Sequence, residues 1–82
     1  MLYLLERRNT AGSFKTLTAS RDLNLITTRF NDAVAEWDGY NNTRKIELTN
    51  AEKKKYPDVI KYFKIGGSHA NVTLRIRQVE EE

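Results

Sequence analysis

Eighty-two residues with 39% hydrophobic and 10% aromatic content suffice for one small domain and exclude a disordered tail. The chain has no cysteine and one histidine, which excludes disulfide staples, thiolate chemistry and a structural zinc site. A formal net charge of +3 and a pI near 9.3 favour anionic partners without committing the chain to one.

In chain order, Met1 to Leu5 is apolar and then meets Glu6-Arg7-Arg8. That run is too short for a signal peptide, and no run approaches the ~18 apolar residues of a membrane span. Its alternation predicts a first strand over 2–8. Asn9 to Ser13 carries turn residues, and Phe14 to Ala19 alternates again with β-branched Thr. The two runs predict an N-terminal hairpin.

A helix is predicted over about 21–38, with Ser20 as N-cap and Asp22 in its first turn. Leu23, Ile26, Phe30, Ala33, Val34 and Trp37 recur at three- and four-residue steps, which makes one apolar stripe. Asp38-Gly39 ends it, with Gly39 suited to the left-handed C′ position. Tyr40 to Asn42 is a loop, and Arg44 to Leu48 alternates as a third strand.

Thr49-Asn50-Ala51-Glu52 matches a capping box and opens a short second helix through Lys53-Lys54-Lys55. Pro57 interrupts it and is suited to the first position of a further helical piece. Residues 58–65 fit two templates. Tyr56, Val59, Ile60 and Phe63 share a helical face, yet the run is as rich in strand formers and could pair as a hairpin, through Gly66 to Ala70, with the strand at 71–79. The three- and four-residue spacing fits better, so helix is the expectation. Asn71 to Val79 is a strand, with Val72, Leu74 and Ile76 on a dry face and Thr73, Arg75 and Arg77 on a wet one.

The predicted fold is therefore α+β in the order ββαβαβ. A four-stranded sheet carries one long amphipathic helix across one face and a second short helix at its side. Residues 1–79 make a single domain and residues 80–82 a frayed acidic tail. A small core without staples leaves a homodimer open. The lack of cysteine suits an intracellular, cytoplasmic setting.

The charge is concentrated. Residues 1–43 are neutral overall, with Arg7, Arg8, Lys15, Arg21 and Arg29 against Glu6, Asp22, Asp32, Glu36 and Asp38. Residues 44–77 carry Arg44, Lys45, Lys53, Lys54, Lys55, Lys61, Lys64, Arg75 and Arg77 against Glu47, Glu52 and Asp58. The expected anion-binding residues are Arg75 and Arg77 on the last strand, Lys45 and Arg44 on the third, Lys53 to Lys55, Lys61 and Lys64. Lys45 joins the arginines only if the two strands are neighbours pointing the same way. Tyr62, with Tyr3, Tyr40 and Tyr56, supplies rings on which unpaired bases stack. The competing reading makes the lysines a solvated face and the strand arginines a guard against edge pairing.

No catalytic constellation is evident. His69 stands alone in a Gly-rich loop, no phosphate-cradling loop is present, and no metal or cofactor is expected. The expectation is a small non-enzymatic regulatory or inhibitory protein that occupies another macromolecule, with a basic face for RNA or DNA. An inhibitor or adaptor of a protein partner is the alternative. A small basic ribonuclease using Arg75, Arg77, Tyr62 and His69 is the third reading. The length, the missing active site and the compact plan resemble small accessory proteins, including those that phages carry against host systems. That resemblance assigns a role to no residue.

Overall fold

The computed structural model describes residues 1–9, 12–37, 43–66 and 71–80. The elements run β1 (Leu2–Asn9), β2 (Lys15–Ser20), α1 (Leu23–Ala35), β3 (Thr43–Lys45), α2 (Asn50–Lys55), β4 (Val59–Gly66) and β5 (Asn71–Val79). The sheet has five strands in the order β2-β1-β5-β4-β3, and every pairing is antiparallel. The α+β class agrees with the sequence reading; the four-stranded sheet and the ββαβαβ order do not.

The correction lies in residues 59–66, which form a strand and not a helix. The run satisfies both periods because Val59 and Phe63 belong to either pattern, and short apolar runs do not separate the two. Packing decides. As a strand, β4 turns Phe63 and Ile65 inward, to 2% and 0% exposure, and covers the flank of β5. An irregularity between Val59 and Lys61 leaves Ile60, a core residue of the helical pattern, 39% exposed. Pro57 therefore opens no second helical piece. It lies after α2 inside a turn in which the Val59 amide donates to the Tyr56 carbonyl at 3.2 Å.

Other boundaries move less. The long helix begins two residues later than predicted, with Asp22 and not Ser20 as its cap. Asp22 Oδ1 accepts from the amides of Asn24 at 2.9 Å and Leu25 at 3.3 Å, while Ser20 Oγ accepts from the Asp22 amide. Leu23 is consequently an exposed member of the predicted stripe. The third strand stops at Lys45, and Ile46 beyond it stands in solvent. The capping box forms as expected: the Glu52 amide donates to Thr49 Oγ1 at 3.2 Å and the Thr49 amide to Glu52 Oε1 at 3.0 Å. The long helix ends at Ala35, with Glu36 as its C-cap, short of the predicted end. Asp38-Gly39, the Tyr40 loop, the His69 loop and the last two residues of the acidic tail lie outside the described residues.

One sheet face carries the core. Leu5, Phe63, Ile65, Val72, Leu74 and Ile76 pack against Ile26 and Phe30 of α1, with Tyr3, Ala33, Val34 and Trp37 closing the margin. Burying eight such side chains contributes roughly 1.5–3 kcal/mol each before conformational entropy is charged against it. That is a small core, and it leaves the opposite, outer face of the sheet for other work.

Candidate nucleic-acid interface

Strand register sets what stands on the outer face, because directly paired residues point the same way. Lys45 of β3 pairs with Lys64 of β4, Lys64 with Thr73 of β5, and Thr73 with Arg8 of β1. Three cations thus share one row across four strands, over roughly 14 Å at ordinary strand spacing. The next row reads Tyr62, Arg75, Glu6 and Thr16. The row after that begins Val59, Arg77 and Leu4.

Glu6 organises the middle of the face. It is 5% exposed, and its carboxylate accepts from Arg75 Nε at 2.9 Å, Arg77 Nε at 3.0 Å and Arg77 Nη2 at 3.4 Å. Asp58 adds a longer contact to Arg77 at 3.6 Å. The hydrogen bond to Glu6 is the main cause that raises the Arg77 pKa further, so that guanidinium stays charged. Phe14, from the loop before β2, lies over the same area, with the Arg75 guanidinium carbon 3.6 Å and that of Arg8 4.9 Å from its ring centre. Arg75 and Arg77 are therefore the expected pair on the expected face, but half-buried and held by an acid.

Lys45 is likewise engaged. Its Nζ meets Glu52 Oε1 at 2.6 Å, which raises the lysine pKa and, with the two Thr49 hydrogen bonds, lowers that of Glu52 to about 2. Strands β3 and β5 are not neighbours, since β4 lies between them, yet Lys45 still points to the Arg75 side. Among the described residues no carboxylate pairs with Lys64 or Arg8. Lys53, Lys54 and Lys55 are exposed on α2, beside the Lys45 end of the row.

Two expected site residues fall elsewhere. Arg44 pairs with Ile65 and so lies on the α1 side, where its Nη2 donates to the Trp37 carbonyl at 2.7 Å. Lys61 pairs with Ile76 and also points to that side. Tyr62 stands on the outer face, 5.9 Å from Lys45 Nζ. Sequence reasoning missed Glu6, Arg8 and Phe14. The parity of β1 was the available signal: Leu5 in the core sends Glu6 and Arg8 to the opposite face. Leu2 and Leu4, apolar on that same outer side, mask the alternation.

The outer face also holds a cleft of about 170 Å³ between Phe14, Tyr56, Tyr62, Lys64, Thr73 and Arg75. On the other side of β4, Phe30, Val34, Ile46, Val59, Ile60 and Phe63 line a larger groove of about 480 Å³. Among the described residues no cluster of three His, Cys, Asp or Glu side chains is placed to hold a metal, and no helix is long and apolar enough to cross a membrane. Comparison with protein families, curated proteins and solved structures finds no match.

Proposed function

We propose that this chain is a non-enzymatic regulatory protein that acts by occupying single-stranded RNA or DNA on the outer face of its sheet. The observation that carries this reading is the row Lys45, Lys64 and Arg8 in direct register, with no carboxylate on Lys64 or Arg8 among the described residues. Lys45 and Lys64 stand directly opposite, a like-charge pairing that costs stability, with Glu52 offsetting part of it at Lys45 and Thr73 standing between Lys64 and Arg8. A phosphate chain laid along the row relieves that repulsion and releases its own counterions. Lys53 to Lys55 extend the positive field beyond β3. Arg75 and Arg77 contribute less than their charge suggests, because Glu6 already holds them.

The test is equilibrium binding of a fluorescent single-stranded oligonucleotide at several salt concentrations. Replacing Arg8 and Lys64 together with Ala should weaken binding and reduce the slope of log K against log salt by about 1.4, from about 0.7 per phosphate contact. An unchanged slope removes the row from the interface.

A second reading, an inhibitor or adaptor of a protein partner, is supported by the groove beside β4. Strand β3 pairs only with Lys64 to Gly66, so residues 59–63 have β5 as their single strand neighbour among the described residues. Ile46 and Ile60, 68% and 39% exposed, stand beside that open edge. An extended segment adding to the edge would bind through backbone hydrogen bonds and apolar contacts. Its affinity would hold steady with salt, which separates it from the first reading.

A further inference from the structure

We infer that the cleft between Phe14, Tyr56 and Tyr62 is a seat for one unpaired nucleobase, with its flanking phosphates on Lys64 and Arg8. This rests on the nucleic-acid reading above and adds to it: the row attracts any polyanion, whereas the cleft selects one whose bases are free.

Three features converge on the site. Tyr56 and Tyr62 bring two rings to one cavity beside Phe14, whose face the Arg75 guanidinium already covers, so the tyrosines are the stacking partners for an incoming base. The Arg75 guanidinium lies over Phe14 at 3.6 Å, so one wall is already an arginine–aromatic stack held in place by Glu6. The cations of the row stand at the rim: Lys64 and Arg8 both line the cleft and flank Thr73, which is buried in its floor at 3% exposure. A volume of about 170 Å³ suits a single planar ring system and excludes a stack of paired bases. A duplex reaches the cleft only by extruding a base, at the cost of unstacking and unpairing.

The cleft and the row are distinct in what they read, and this makes them separable. Glu52 also lines the cleft, but Lys45 Nζ and the Thr49 amide already donate to its carboxylate. With that acid engaged, the rest of the lining is aromatic, cationic or, at Leu48 and Val59, aliphatic, with Thr73 in the floor. Tyr56 is 39% exposed at the end of α2, so its ring is reachable without opening the core.

The experiment compares three labelled probes of equal length: a single-stranded DNA oligonucleotide, its abasic counterpart with the same phosphates, and the duplex. The intact single strand should bind from about 5-fold to more than about 100-fold tighter than the abasic chain, the range expected for one stacked base. Tyr56→Ala should shrink that ratio while leaving the salt slope unchanged. Tyr62→Leu, which keeps apolar volume against the sheet, should do the same, and circular dichroism confirms that each variant folds. Equal binding of intact and abasic strands overturns the base seat but leaves the phosphate row standing. Duplex binding as tight as single-strand binding also overturns it. No binding of any probe overturns both readings.

Discussion

Replacing Glu6 tests how the outer face is built. Its carboxylate is 5% exposed and takes three hydrogen bonds from two guanidiniums whose side chains are 18% and 33% exposed. Removing one partner of a buried ion pair costs about 3–5 kcal/mol, because the remaining charge is left unpaired. Arg75 and Arg77 keep some access to water, so the expected loss for Glu6→Ala is lower, roughly 2–3 kcal/mol. Against the ~4–12 kcal/mol usual for 82 residues, that is a large fraction of the total. The assay is urea unfolding followed by circular dichroism, with the slope m checked for constancy. Glu6→Gln, which keeps shape and loses charge, should lie between Glu6→Ala and the parent. Freed from Glu6, the arginines should also strengthen oligonucleotide binding at low salt. A loss below about 0.5 kcal/mol for Glu6→Ala would place the cluster among exposed pairs of little worth and refute the reasoning.

Two more outcomes are expected from the same geometry. Glu52 has its folded-state pKa lowered from 4.5 to about 2, so its contribution is fully present above pH 4.5 and fades as pH falls towards 2. Thermal melts across that window should show this step in the parent and not in Glu52→Gln; identical pH profiles would show that the Lys45–Glu52–Thr49 contacts add nothing. Phe63→Ala should cost about 3–5 kcal/mol and Ile60→Ala under about 1 kcal/mol, since Phe63 is 2% and Ile60 39% exposed. Similar costs at both positions would favour a helical face there over the strand.

Much of the fold was legible because single residues left few choices. The alternation from Val72 to Arg77 has no helical counterpart, and Thr49 with Glu52 forms the capping box its spacing requires. The α1 stripe from Ile26 to Val34 reads directly, with Trp37 packing on the core from the turn that follows, and the predicted helix runs too long at both ends. Residues 59–66 were misread because helix and strand periods share Val59 and Phe63; the deciding contacts, Ile65 with Val72 and Phe63 with Leu74, are set by the sheet. The site divided along the same line. Charge composition located cations in the second half of the chain, and strand parity put Arg75 and Arg77 on one face; Lys45 joins that face through β4, not as the direct neighbour of β5 that the sequence reading required. Their pairing was invisible, because Glu6 comes from the first strand, 69 residues before Arg75. Arg8 lies in the charge-neutral half and reaches the row only through the β1–β5 register.

The most direct measurement is the parent protein's own salt dependence on a single-stranded oligonucleotide. If about three to five phosphates are neutralised by Lys64, Arg8 and their lysine neighbours, log K should fall against log salt with a slope between about −2 and −3.5. A flat line, or no measurable complex at about 50 mM salt, would mean that the aligned cations serve no anionic strand.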